Sequence, residues 1–127
     1  MNSQRLIECA RASVSDELRK APWRGSSNRM AGHCYVVSEA LYHLMGGKDA
    51  GIVPLRMVHD GVSHWALRLA DGSVLDATAD QFTTQPDYSK AVGSGFLTKR
   101  PSKRASILLE RIKRMEGSNE QGNRSGA

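Results

Sequence analysis

Cysteine is scarce in this chain. There are two, Cys9 and Cys34, on separate predicted helices, and their spacing does not resemble a secreted disulfide framework. Long apolar runs are missing as well. Met1 is followed by polar residues instead of a signal-peptide core, and no stretch approaches transmembrane length. A protein of the reducing cytoplasm, with no membrane contact, is therefore expected. Phosphate loop, dinucleotide fingerprint, HExxH pattern and internal repeat are all absent. A zinc site from His33, Cys34 and His64 would need adjacent residues to ligate one ion, which is rare. The expectation is no metal and no organic cofactor.

What is present suffices for one domain. A chain of 127 residues can bury a core without staples. Its net charge of +5 is unevenly placed, with seven Lys or Arg and one Glu between Lys99 and Arg114. Ser102 to Met115 reads as a terminal helix with Ala105, Leu108, Leu109, Ile112 and Met115 as its apolar stripe. Lys103, Arg104, Arg111, Lys113 and Arg114 are then either a solvated face or a patch for nucleic acid or an acidic host protein. The patch reading makes the chain a non-enzymatic binding module. From Gly117 the sequence turns to Gly, Ser, Asn and Gln, which predicts a domain over 1–116 and a disordered tail over 117–127.

Ser3 to Lys20 reads as an amphipathic helix with Ser3 as N-cap, a stripe of Leu6, Ile7, Ala10, Val14 and Leu18, and Pro22 as its stop. A loop to Ala31 carries Trp23 and Asn28. The next helix, Gly32 to Met45, organises the chain. Gly32 can open it and Gly46-Gly47 can close it in the left-handed region. Cys34, Val37, Leu41, Leu44 and Met45 share its inward face, so a thiol stands in the first turn of a packed helix. The dipole and unpaired N–H groups there favour thiolate.

Ile52–His59, Val62–Leu69 and Ser73–Thr78 read as strands, with Asp60-Gly61 as a turn. Burial selects the register of the second hairpin. A three-residue loop, Ala70-Asp71-Gly72, pairs Leu67 with Leu75 and Trp65 with Ala77, and collects Trp65, Leu67, Leu69, Leu75 and Ala77 on one face. His64 and Asp76 then share the other face as a diagonal pair. Asp76 can accept from one ring nitrogen of His64, and the second nitrogen points at whatever packs there. If that is the start of the Cys34 helix, thiol, imidazole and carboxylate align as nucleophile, base and orienter. Asp80 to Leu97 has no clean period and reads as a loop over the sheet.

His33-Cys34-Tyr35 at a helix start, Ser63-His64-Trp65 on a strand and Val74-Leu75-Asp76 one hairpin later resemble the papain-like superfamily. The likeness is to its compact branches, namely the transglutaminase-like, arylamine acetyltransferase-like and NlpC/P60-like cysteine enzymes. The resemblance implies a papain-like α+β core and catalytic residues Cys34, His64 and Asp76. The Cys34 backbone N–H would be part of an oxyanion hole. Asn28 precedes Cys34 by the interval at which papain-like proteases keep an oxyanion-hole Gln. The implied chemistry is attack on an amide, isopeptide or thioester in a peptide, protein or small acyl substrate, with Trp65 and Gln81 as substrate contacts. Ser38–Tyr42, Thr78–Phe82 and Gly95–Lys99 are also similar to small phage or prophage proteins, which implies a host-cell cytoplasm.

Plainer readings stand beside each role. Cys34 taken alone reads first as a small core residue, and only His64 and Asp76 in compatible register favour catalysis. His64 alone reads as a half-buried sheet histidine, Asp76 as a cap toward Thr78, and Trp65 as core. Asp80 is the rival orienter. Glu39 falls on another side of the helix and has no catalytic role. His33, His43 and His59 read as surface residues.

Overall fold

In a computed structural model the described residues are 3–19, 23–25, 27–28, 30–96 and 100–125, with backbone alone at 3 and 118–125. Helix α1 spans Ser3–Ser13, α2 Cys34–Leu44 and α3 Lys103–Ser125. Strands β1 Val53–His59, β2 Val62–Arg68, β3 Val74–Leu75 and β4 Val92–Gly93 form one antiparallel sheet in the order β3-β2-β1-β4. The class is α+β, as expected.

The first helix is shorter than its apolar stripe. Leu6, Ala10, Val14 and Leu18 are all buried, but the helix stops at Ser13 and a 3-10 turn, Asp16–Leu18, carries the last of them. Ser15 is extended (φ −147°), and the Asp16 carboxylate accepts from Gly25 N–H at 2.7 Å and from Arg19. A short acidic side chain bonded to nearby groups in this way competes with helix continuation. Lys20 and Pro22, the expected stop, lie outside the described residues.

Helix α2 lies inside its sequence-read limits, beginning two residues after Gly32 and ending one before Met45. Gly32 (φ +79°) leads into it and Gly46 (φ +102°) follows its cap. A Cβ on Gly32 would lie 2.4 Å from that of Trp23, so the glycine also makes room for the loop. Val36, Val37, Ala40 and Leu41 pack with Leu67 and Leu75 of the sheet, and Ala105, Leu108 and Ile112 of α3 close the same core. Glu39, fully buried, accepts from Ser102 N–H at 2.6 Å and Ser102 Oγ–H at 2.8 Å, while Ser102 Oγ accepts from Ala105 N–H. A buried carboxylate thus holds the start of α3, where the helix dipole favours negative charge.

Asp60 (φ +52°) and Gly61 (φ +74°) turn β1 into β2. The second hairpin takes the expected register: Leu67 faces Leu75, Gly72 is left-handed, and Leu69 N–H bonds to Ser73 O. Trp65 and Ala77 do not pair as expected, because β3 ends at Leu75 and Asp76 Oδ1 accepts the N–H of Thr78. Strand β4 lies inside the stretch read as loop, two residues against β1 without alternation to announce them.

Helix α3 continues through Gly117 to Ser125. Propagation from a packed nucleus adds one backbone bond per residue, and no proline interrupts it. Arg104 donates to the carbonyls of Leu18 and Arg19, and Arg111 donates to Ser13 O and Ser15 Oγ and pairs with Glu17. These two cations hold α3 against α1 and the following turn; Arg111 is half-buried, while Lys103, Arg104, Lys113 and Arg114 of the expected patch are exposed. His33 is buried, its Nε2 3.0 Å from Ser15 O, and not a surface residue.

Glu39→Ala is expected to lower the unfolding free energy by about 2 kcal/mol, because it strips the acceptors from two half-buried Ser102 donors. Denaturant melts of Glu39→Ala beside Glu39→Gln, which keeps one acceptor and should lose less, check this.

Candidate active site

His64 and Asp76 meet as the register requires. His64 Nε2 lies 2.6 Å from Asp76 Oδ2, with the two side chains 0% and 5% exposed. The same Oδ2 accepts from Tyr88 O–H at 2.7 Å, and Oδ1 accepts from Thr78 N–H at 3.3 Å. Three donors therefore surround one buried carboxylate. His64 Nδ1 is 2.8 Å from Gln81 Nε2, and the Phe82 ring stands edge-on to the imidazole. With Nε2–H donated to Asp76, the neutral ring accepts from the Gln81 amide. A doubly protonated ring meets the oxygen of that amide or the Cys34 sulfur instead.

Cys34 reaches this pair by an unexpected route. Helix α2 packs on the Leu67 face of the sheet, opposite the His64 face. The His64 face is covered by the segment after β3: Tyr88 and Ala91 pack on Leu55, Met57 and Ala66. The first turn of α2 comes down over the start of β2, where Cys34 Sγ lies 3.8 Å from Ser63 O and interacts with His64. Burial works against a charged His64 ring, but hydrogen bonds and charge from Asp76 and Cys34 outweigh it and push the pKa up to about 9. Burial, with the Asp76 bond second, raises the Tyr88 hydroxyl above its ordinary value. Cys9 is a different thiol: buried under α3, it is raised chiefly by desolvation, and its sulfur contacts Glu116.

Cys34, buried at 9% exposure, lines a cleft of about 640 Å³ together with Trp23, Tyr35, Arg56, Trp65 and Gln81, among others. Trp65 stacks on Phe96 and meets Tyr35 edge-on, so it is both packed and cleft-facing. Asn28 is not in the lining. Its amide donates to the Gln81 carbonyl at 2.9 Å and its Oδ1 accepts from Met30 N–H, so the expected oxyanion donor ties two loops together instead. Asp80 is removed as rival orienter. It forms a two-pronged pair with Arg11 at 2.8 and 2.6 Å, which holds its carboxyl below the usual range.

Two contributors escaped sequence reading. Tyr88 sits in the aperiodic stretch, where a lone aromatic after Pro86-Asp87 is the only signal. Arg56 alternates with Leu55 and Met57, which predicts nothing beyond an outward-facing polar position. Among the described residues, no group of three His, Cys, Asp or Glu side chains could hold a metal ion, and no helix is long and apolar enough to cross a membrane.

Fold and site together define a small α+β domain in which a thiol at a helix start meets a carboxylate-braced imidazole on a sheet. The chain belongs to the YunG protein family, whose model matches residues 4–116. Comparison with curated proteins and with solved structures finds no match. The chemistry must therefore be argued from the residues.

The raised His64 value sets a pH dependence of folding. The folded ring binds its proton more tightly than the unfolded one, whose pKa is near 6.5. Stabilisation is thus complete below about pH 6.5 and is lost as pH rises to about 9, with a span on the order of a few kcal/mol. Denaturant melts from pH 6 to pH 10 should show that decline, and Asp76→Asn should flatten it. Tyr88→Phe is expected to cost about 1–2 kcal/mol by removing a buried donor from the carboxylate, checked by the same melts.

Proposed function

We propose that this protein is a papain-like cysteine enzyme that cleaves or transfers acyl groups at amide, isopeptide or thioester bonds, with Cys34 as nucleophile, His64 as base and acid, and Asp76 as orienter. One observation carries the reading: a buried imidazole held by Asp76 at 2.6 Å interacts with the thiol of Cys34, a residue that lines a cleft. A cationic ring beside a sulfur is the setting in which thiol nucleophiles work.

In the reaction His64 accepts the Cys34 proton, and the sulfur bonds to the acyl carbon. The carbonyl π pair moves onto oxygen. Collapse of that adduct expels the amine or thiol, which takes its proton from His64, and leaves a thioester on Cys34. Water or an amine, deprotonated by His64, then attacks the thioester and releases the acyl group. Cys34 is the first residue of α2, so its N–H has no intrahelical acceptor and is available to the oxyanion. The Gln81 amide, which touches His64 and lines the cleft, takes the side-chain role that the resemblance assigned to Asn28. Both cysteines are free thiols, which suits a reducing cytoplasm.

Incubation with p-nitrophenyl acetate is expected to add one acetyl group at Cys34, seen by mass spectrometry, and none in Cys34→Ala. Alkylation of Cys34 by iodoacetamide at pH 7 should outpace that of Cys9 and fall at least about tenfold in His64→Gln. Asp76→Ala should lower it less. A Cys34 rate indifferent to His64→Gln overturns the mechanism.

A further inference from the structure

The lining of the cleft is lopsided in charge. It contains two guanidinium groups, Arg56 and Arg104, and no carboxylate among the described residues. The acidic side chains nearby are engaged elsewhere: Glu39 by Ser102, Asp76 by His64 and Tyr88, Asp80 by Arg11. Arg104 is anchored through one nitrogen to the carbonyls of Leu18 and Arg19, which orient the group without neutralising it. Arg56 is exposed and has no hydrogen-bond or ion-pair partner among the described residues. It lies across the β1–β2 ladder from Trp65, on the sheet face that α2 covers. The start of α2, with its own partial positive charge, opens into the same space. Trp23, Tyr35 and Trp65 supply flat apolar surface beside these cations.

An uncompensated guanidinium in a concave aromatic site is a fork for an oxyanion. We infer that the cleft selects acyl donors whose acyl portion carries an anionic group, a carboxylate or phosphate, and that Arg56 is the residue that holds it. The inference rests on the cysteine-enzyme reading and names its substrate class. In that arrangement the anion docks on Arg56, the adjoining apolar portion lies against Trp65, and the reacting carbonyl is carried to Cys34. Arg104 adds to the potential from its fixed position.

Chloroacetyl-capped glycine, β-alanine and γ-aminobutyrate, each beside its uncharged amide, test this on the intact protein. A matched series of chloroacetyl aminoalkyl phosphates separates phosphate from carboxylate preference. The quantity read is the ratio of Cys34 alkylation rates, anionic probe over neutral probe, by mass spectrometry. In that ratio, intrinsic thiol reactivity cancels. At low salt the wild-type ratio is expected to exceed that of Arg56→Gln by about threefold or more at one chain length. Arg56→Lys should restore part of it, and added salt should shrink it. A wild-type ratio equal to that of Arg56→Gln at every length overturns the inference while leaving the cysteine chemistry intact. Neutral probes that alkylate Cys34 at the same rate in wild type and His64→Gln overturn the cysteine chemistry, and the inference with it.

Discussion

One buried carboxylate organises this molecule. Asp76 gathers an imidazole N–H, a phenol O–H and a backbone N–H, and each donor comes from a different piece of chain. The backbone donor ends β3 after two residues. The phenol draws the segment around Tyr88 across the sheet, where Ala91 and Tyr88 cover Leu55, Met57 and Ala66. A buried polar group left half-satisfied would cost free energy, so the segment has a reason to fold here beyond the small apolar cluster it covers. The imidazole is left with one ring nitrogen committed and the other turned to Gln81.

A second buried carboxylate works on the far side of α2. Glu39 pins the start of α3, and Arg104 and Arg111 tie the body of α3 to α1 and the turn after it. Part of the chain's positive excess is thus architectural, since guanidinium groups satisfy carbonyls left at helix ends. These ties fix α2 from behind while its first turn overhangs β2. The sulfur is therefore placed by α2, held between the sheet and the other two helices, and the imidazole by the sheet and the loop on its other face. Neither layer holds the pair alone.

The charge of the cleft follows from the same arrangement. Glu39 and Asp76 are enclosed by donors of their own and Asp80 is paired with Arg11, and no carboxylate lines the cleft among the described residues. An attractive field for anions is the residue of this internal pairing.

Local chemistry in the sequence by itself determined the main elements. Spacing defined the inward face of α2, paired positive-φ turn residues defined the first hairpin, and burial placed Leu67 opposite Leu75, which in turn put His64 and Asp76 on one face. Cys34, His64 and Asp76 were legible for that reason. Only the tertiary structure decided that α2 packs on the other face and still delivers Cys34 to His64. It alone tied Asn28 to the Gln81 carbonyl, paired Asp80 with Arg11, brought Tyr88 to Asp76 and faced Arg56 into a cleft. Those choices depend on which unpaired donors and acceptors meet across dozens of residues, and periodicity records only what neighbours along the chain require.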